Sequence, residues 1–215
     1  MPTLNQQAYA IAEALQKTDD QGYIEIIKYN IKLLRATLLR RDQARNTRQS
    51  SVFEQDLGMV YLDQVDSAED ANVIPGKIVK KSLKKIPAPV RFKTPSPFRF
   101  VGEPDKINPI DFLPENRLRY MENRAFSAGR PGYYYREGYL YLIGYEGHVV
   151  NVRGIFEDPE KVMEDFYPAT DESIDEMDFP ISSDMAAQIS DMIINQNIKL
   201  TTIPGQDEQH IEIDK

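Results

Sequence analysis

Asp171, Glu172, Asp175, Glu176 and Asp178 put five carboxylates within eight residues, enough to hold a divalent cation or to share acid and base roles. The run lacks the central glycine and closing glutamate of a calcium loop, so it reads as a solvated acidic stretch. His148 and His210, the two histidines, fall in different kinds of segment with no metal-motif spacing around them, and His148 reads as structural. Ser82, Ser96, Ser127, Ser173, Ser182, Ser183 and Ser190 stand in no G-x-S-x-G elbow. Gly129, Gly132, Gly138, Gly144, Gly147 and Gly154 follow a strand-and-turn rhythm instead of cradling phosphate before a helix. With no cysteine there is no thiolate nucleophile, disulfide or thiolate metal site. These residues predict no catalytic group, no cofactor and no metal; a hydrolase built on Asp175 and Asp178 is the least favoured reading.

A second group of residues suits binding better than catalysis. Lys77, Lys80, Lys81, Lys84, Lys85, Arg91, Lys93 and Arg99 run without an acid and interleave with Phe92, Phe98 and Phe100. Bases stack on rings beside a basic groove, so a nucleic-acid-binding accessory protein using residues 77–99 is one reading. The favoured one is an edge strand kept soluble by lysines and facing an acidic protein, because five prolines between Val73 and Arg99 suit a segment laid against protein. Tyr133, Tyr134, Tyr135, Tyr139, Tyr141 and Tyr145 divide between sheet core and recognition.

Charge is sorted along the chain. Lys28 to Arg99 carries fifteen Lys and Arg against seven acids, and Phe156 to Lys215 carries three Lys against sixteen acids. The net charge of −8 conceals this. Such polarity predicts copies that meet head to tail, basic segment against acidic segment.

The elements that must position these residues begin with two helices. Leu4, Ala8, Ile11 and Leu15 share one face, and Thr18-Asp19-Asp20 offers a break and a new N-cap. Ile24, Ile27, Ile31, Leu34 and Leu38 alternate at three and four residues, which leaves Lys28, Lys32, Arg35, Arg40 and Arg41 at other positions. After Arg45 the helical period ends in a polar stretch. Val52, Phe53, Leu57 and Met59 to Leu62 read as strand, Asp63 to Asn72 as loop, and Val73 to Arg99 as extended edge structure. Tyr133 to Phe156 reads as a three-stranded meander with turns at Glu137-Gly138 and Gly144 to Gly147.

Asp158-Pro159 opens a helix carrying Val162, Phe166 and Tyr167, and Ser182 or Ser183 opens a last one carrying Met185, Ile189, Met192 and Ile193. The final segment, Thr201 to Lys215, ends in Ile211-Glu212-Ile213-Asp214, an alternation that suits strand addition to another surface.

These elements predict an α+β protein. N- and C-terminal helices form a bundle with an inserted antiparallel β-rich domain: residues 1–50 helical, 51–180 β-rich with a short helix, and 181–215 a helix and arm packed on the helical part. A hydrophobic fraction of 41% and a charged fraction of 28% fit a folded body with loose ends. Met1 to Lys17 shows no secretion-signal pattern, and no apolar run approaches the roughly 20 residues that span a bilayer, so no membrane partner is expected.

Val152-Arg153-Gly154-Ile155-Phe156-Glu157-Asp158-Pro159 after the β stretch, and Phe179-Pro180-Ile181-Ser182-Ser183-Asp184 opening the late helix, give the chain its likeness. In these phrases and in its whole layout it resembles the head-to-tail connector, adaptor or ring, proteins of tailed bacteriophages, closest to those of short-tailed crAss-like phages. The resemblance implies a non-enzymatic virion protein of the neck and tail, assembled in the bacterial cytoplasm. It implies a twelve-subunit ring below the portal protein, touching further neck or tail rings and surrounding genomic DNA without reading its sequence. Lys80, Lys81, Lys84, Lys85, Arg91, Tyr134, Tyr145, Ile211 and Ile213 are the residues expected at subunit or portal interfaces.

Overall fold

The computed structural model describes residues 2–45, 51–66, 68, 70, 71, 73, 78–118, 130–167 and 177–201. Helix α1 (Leu4–Ala14) starts at a reciprocal cap in which Thr3 Oγ1 accepts from Gln6 N–H and the Gln6 side chain accepts from Thr3 N–H. Helix α2 (Gln21–Arg45) starts where Asp20 Oδ1 accepts from Tyr23 N–H. The expected stripes are buried: Leu4, Ala8 and Ile11 from α1, and Ile24, Ile27, Ile31 and Leu38 from α2. They share one core with Met185, Ile189 and Ile193 of the last helix, α5 (Ser183–Thr201). The fold is α+β.

Two cations expected off the apolar face are inside it. Lys28 and Arg35 are buried, because Arg35 follows Ile31 by four residues and precedes Leu38 by three, one face of a helix. Arg35 donates there to backbone carbonyls, and Lys28 donates to the Glu25 carboxylate at 3.0 Å.

A 3-10 turn at Ser51–Phe53, a stretch expected to be strand, leads into β1 (Gln55–Val65), which extends into the expected loop. The remaining strands are β2 (Val79–Ser82), β3 (Phe100–Gly102), β4 (Asp111–Phe112), β5 (Gly132–Arg136), β6 (Tyr139–Ile143) and β7 (Val149–Gly154). Helix α3 (Glu115–Leu118) is a single turn before β5, and α4 (Pro159–Phe166) starts at the expected Asp158 cap with proline first.

Sheet order is β3-β7-β1-β2-β6-β5-β4. Two expectations fail here. The meander holds only as the β5–β6 hairpin, since β1 and β2 lie between β6 and β7. The lysine-bearing strand β2 is interior, bonded to β1 and β6, because none of the segment's five prolines falls within Val79–Ser82. The sheet is also mixed, β4 running parallel to β5.

The two sheet edges approach closure through residues 109–112. Ile110 N–H donates to Val101 O of β3, and the next two residues are β4 on β5. Gly102 is required at this seam: a Cβ there would stand 2.4 Å from the Asn108 carbonyl oxygen. Inside this near-barrel lie Leu57, Val60, Leu62, Val101, Leu140, Leu142, Val150 and Val152. On the other face of β2, β5 and β6, Val79, Tyr134, Tyr141 and Ile143 are buried under Val73 and Leu113.

Candidate functional site

Arg35 joins the helices to the sheet. Its guanidinium donates from Nε to Pro180 O at 2.8 Å and from Nη1 to Phe156 O at 2.9 Å, with the Phe179 ring 5.6 Å away. Burial lowers its pKa, and Asp158 acts in the opposite sense. The two acceptors are the carbonyls just after β7 and just before α5.

Around this point the sorted charges meet within one chain. Lys32 pairs with Glu160 and stands 3.8 Å from Asp158, and Arg40 pairs with Glu157. Lys84 Nζ donates to Asp165 O at 2.7 Å. The basic and acidic segments, expected to attract across copies, are therefore drawn on here for intramolecular packing.

Lys80 is buried on the inner side of β2, where its ammonium donates to the carbonyls of Glu146 and Gly147, the latter at 2.9 Å. It holds the β6–β7 connection where that connection crosses the ends of β1 and β2. Lys81, on the other side, donates to Asp70 Oδ2 at 2.6 Å, and Tyr141 OH donates to the same oxygen at 2.9 Å. The hydrogen bond to Asp70 raises the Lys81 pKa against the lowering effect of burial. Tyr134 is buried, stacked on Tyr141 at 4.9 Å between centroids, and burial pushes its phenol up.

Lys84, Lys85 and Arg91 are exposed, with Lys85 5.7 Å from the Tyr139 ring. Tyr145 is half-buried and donates to Val149 O at 2.9 Å. Ile211 and Ile213 lie outside the described residues, as do Asp171, Glu172, Asp175, Glu176 and His210. Asp178 forms an isolated backbone bridge with Thr3. His148 is exposed, and its carbonyl accepts from Leu62 N–H at 2.8 Å. Among the described residues no group of three or more His, Asp or Glu is placed to hold a metal ion, and no helix is long and apolar enough to cross a membrane.

The proline-bearing segment runs against residues 153–157: Val90 N–H donates to Ile155 O, Glu157 N–H to Ala88 O, and Arg99 N–H to Arg153 O. Its rings are engaged as well, with Phe98 buried edge-on to Tyr135 and the Phe92 ring 5.7 Å from the Arg99 guanidinium. Among the described residues of 77–99 these backbone and ring contacts lie within the chain, the arrangement expected of a segment laid against protein.

A polar cluster missed from sequence centres on Asp56. Burial pushes its carboxyl up, but hydrogen bonds from Lys106 at 2.5 Å, Gly58 N–H at 2.9 Å and Asn151 at 2.7 Å outweigh it and hold the pKa below the ordinary value. The cluster sits at the β1 bulge, where Gly58 adopts φ +67°.

Two exposed apolar surfaces were not anticipated from sequence. One is Ile26, Tyr29 and Leu33 on α2, and the other is Met59, Tyr61 and Leu83 on the outer face of β1 and the end of β2. The first was legible: 26, 29 and 33 repeat the helical spacing on a second side of α2.

Residues 6–210 match the family model of phage tail ring protein 2, from crAss-like phages. No curated protein matches the chain.

Proposed function

The chain belongs to the phage tail ring protein 2 family, and on that premise we propose that its copies close into a ring of twelve in the virion neck, joining the capsid portal to the tail around the DNA channel. The family is one of structural tail ring proteins, and the match over residues 6–210 is the observation that carries the proposal. A closed ring requires one surface of each copy to meet a different surface of the next. In this reading residues 1–50 and 181–215 form the helical part, residues 51–180 form the β-rich part, and assembly takes place in the host cytoplasm before the ring joins its neighbours.

Lys84, Lys85 and Arg91 are among the outward cations of the basic segment and suit contact with the acidic surface of a portal or adjoining ring. The arm bearing Ile211 and Ile213 would latch onto a neighbour or the portal by strand addition. DNA would pass through without sequence-specific contact.

Native mass spectrometry and electron micrographs of the full chain test the reading, with and without portal protein. A twelve-fold mass and ring-shaped particles are expected. A chain that remains a single copy at micromolar concentration, alone and with portal, overturns it.

A further inference from the structure

We propose that a pocket beside the proline-bearing segment receives the C-terminal arm of an adjacent copy, with Ile213 in the pocket and Glu212 and Asp214 against Arg91 and Lys93. The inference rests on the ring reading and names the surface that its arm would occupy.

The pocket encloses about 180 Å³ between residues 92–99 and Ile155. Phe92, Pro97, Phe98 and Ile155 give it apolar walls, and Thr94 and Arg99 line it as well. A cavity of about 150 Å³ holds a benzene molecule, so this one admits an isoleucine side chain. The Ser96 hydroxyl is already engaged, donating to Phe98 O at 2.6 Å and accepting from Tyr133 OH at 2.8 Å, so it asks nothing further of a guest.

Cations outnumber acids beside the pocket. Arg99 and Arg153 stand 3.9 Å and 3.4 Å from the single carboxylate of Glu54, and the nearby Glu157 is held by Arg40. Arg91 and Lys93, exposed on either side of Phe92, form no ion pair among the described residues. The N–H groups of Arg91, Phe92, Lys93 and Thr94 are likewise without a hydrogen-bond partner among the described residues, which leaves main-chain donors open to an added segment.

The arm complements this surface in charge and in period. Residues 202–215 hold Asp207, Glu208, Glu212 and Asp214 against Lys215, four acids to one cation. Phe92 and Thr94 line the pocket and Arg91 and Lys93 do not, and Ile211-Glu212-Ile213-Asp214 alternates in the same step. Laid alongside, isoleucines fall on the pocket side and acids on the cation side.

Chain length assigns the arm to a neighbour. Arg35 ties the start of α5 to Phe156, next to the pocket, and the 19 residues of α5 carry the chain about 28 Å away. From Thr201 to Ile211 a fully extended chain spans at most about 36 Å. A return to its own pocket would stretch the arm almost straight through Pro204-Gly205, a pair that favours a turn. Each copy thus gives an arm and receives one, a head-to-tail contact that can close a ring.

Because the chain has no cysteine, a disulfide can trap the contact without background. A full-length Thr94→Cys chain mixed with an Ile213→Cys chain and oxidised mildly should give a disulfide-linked dimer on a denaturing gel. Its rate should exceed by more than about tenfold that of a control mixture of Tyr9→Cys and Ile213→Cys chains, since a disulfide needs Cα atoms within about 7 Å. Placed in one chain, Thr94→Cys with Ile213→Cys should give a ladder of linked oligomers. Independently, Arg91→Glu with Lys93→Glu should melt near the wild-type temperature, both side chains being exposed, and need more than about tenfold higher concentration to assemble. Adding Glu212→Lys and Asp214→Lys to that chain should restore assembly.

An intrachain bond in place of the ladder would return the arm to its own pocket and overturn the proposal. Rings that assemble without the disulfide, or charge variants that assemble as wild type does, would overturn it too. A wild-type chain that forms no ring removes the ring reading together with this inference, whereas wild-type rings with no Thr94 to Ile213 trapping remove this inference alone.

Discussion

Arg35 on α2 donates to the carbonyl of Pro180, 145 residues later, and through its second nitrogen to Phe156, so one side chain fixes where the chain leaves β7 and where it enters α5. Arg35→Ala should destabilise the protein by about 3 kcal/mol, because two buried carbonyls lose their donor and each costs about 1–3 kcal/mol unpaired. Arg35→Lys retains charge but lacks the planar fork, and should recover only part of the loss. Urea unfolding of the three proteins checks the order wild type, Lys, Ala. An Ala variant as stable as wild type would remove this residue's role.

The Asp56 cluster should limit stability in acid. A folded-state pKa held below the ordinary carboxylate value means stability is present above the unfolded pKa, about 4, and is lost as pH falls through the folded one. Asp56→Asn should cost about 1 kcal/mol at neutral pH, discounted for a partly solvated site, and flatten the acid limb. Thermal melts of both proteins between pH 2 and pH 7 read this directly, and parallel acid limbs would refute it.

Local periodicity made the helices legible, and non-local pairing hid the sheet order. Ile24, Ile27, Ile31 and Leu38 announce their common face within fifteen residues of sequence. Nothing near Gly144 to Gly147 announces that β1 and β2, more than sixty residues earlier, will lie between the strands it joins. Lys80 and Arg35 read as surface because isolated cations avoid cores; their acceptors are backbone carbonyls, which every residue has and no sequence pattern reveals. The exposed Ile26, Tyr29 and Leu33 stripe is written in the same helical period as the buried one, displaced around the helix axis.

Closure at the β3 to β4 seam depends on the missing side chain at position 102. Gly102→Ala would force a methyl to within 2.4 Å of the Asn108 carbonyl, and the backbone must move to relieve it. A loss of about 1–3 kcal/mol is expected, the usual cost of overpacking. Hydrogen exchange should report the damage locally, with faster exchange at Ile110 N–H, the donor that joins the edges. Unchanged protection at that amide would show the seam to be independent of the glycine.

The lysines of the basic segment should separate into two kinds when neutralised. Lys80→Met removes a buried ammonium that satisfies the Glu146 and Gly147 carbonyls, and should cost about 2–3 kcal/mol of stability. Lys84→Ala with Lys85→Ala removes exposed charges and should change stability by under about 1 kcal/mol. If the segment gripped DNA, both variants would weaken binding and flatten its dependence on salt, because each phosphate contact releases counterions. The structure predicts instead that Lys80→Met alters unfolding but leaves DNA retention on a gel as weak as wild type, and that Lys84→Ala with Lys85→Ala alters only association with an acidic partner ring. Strong, salt-sensitive DNA binding by the wild-type chain, lost in the Lys84 and Lys85 variant, would put the nucleic-acid reading ahead of the protein-facing one.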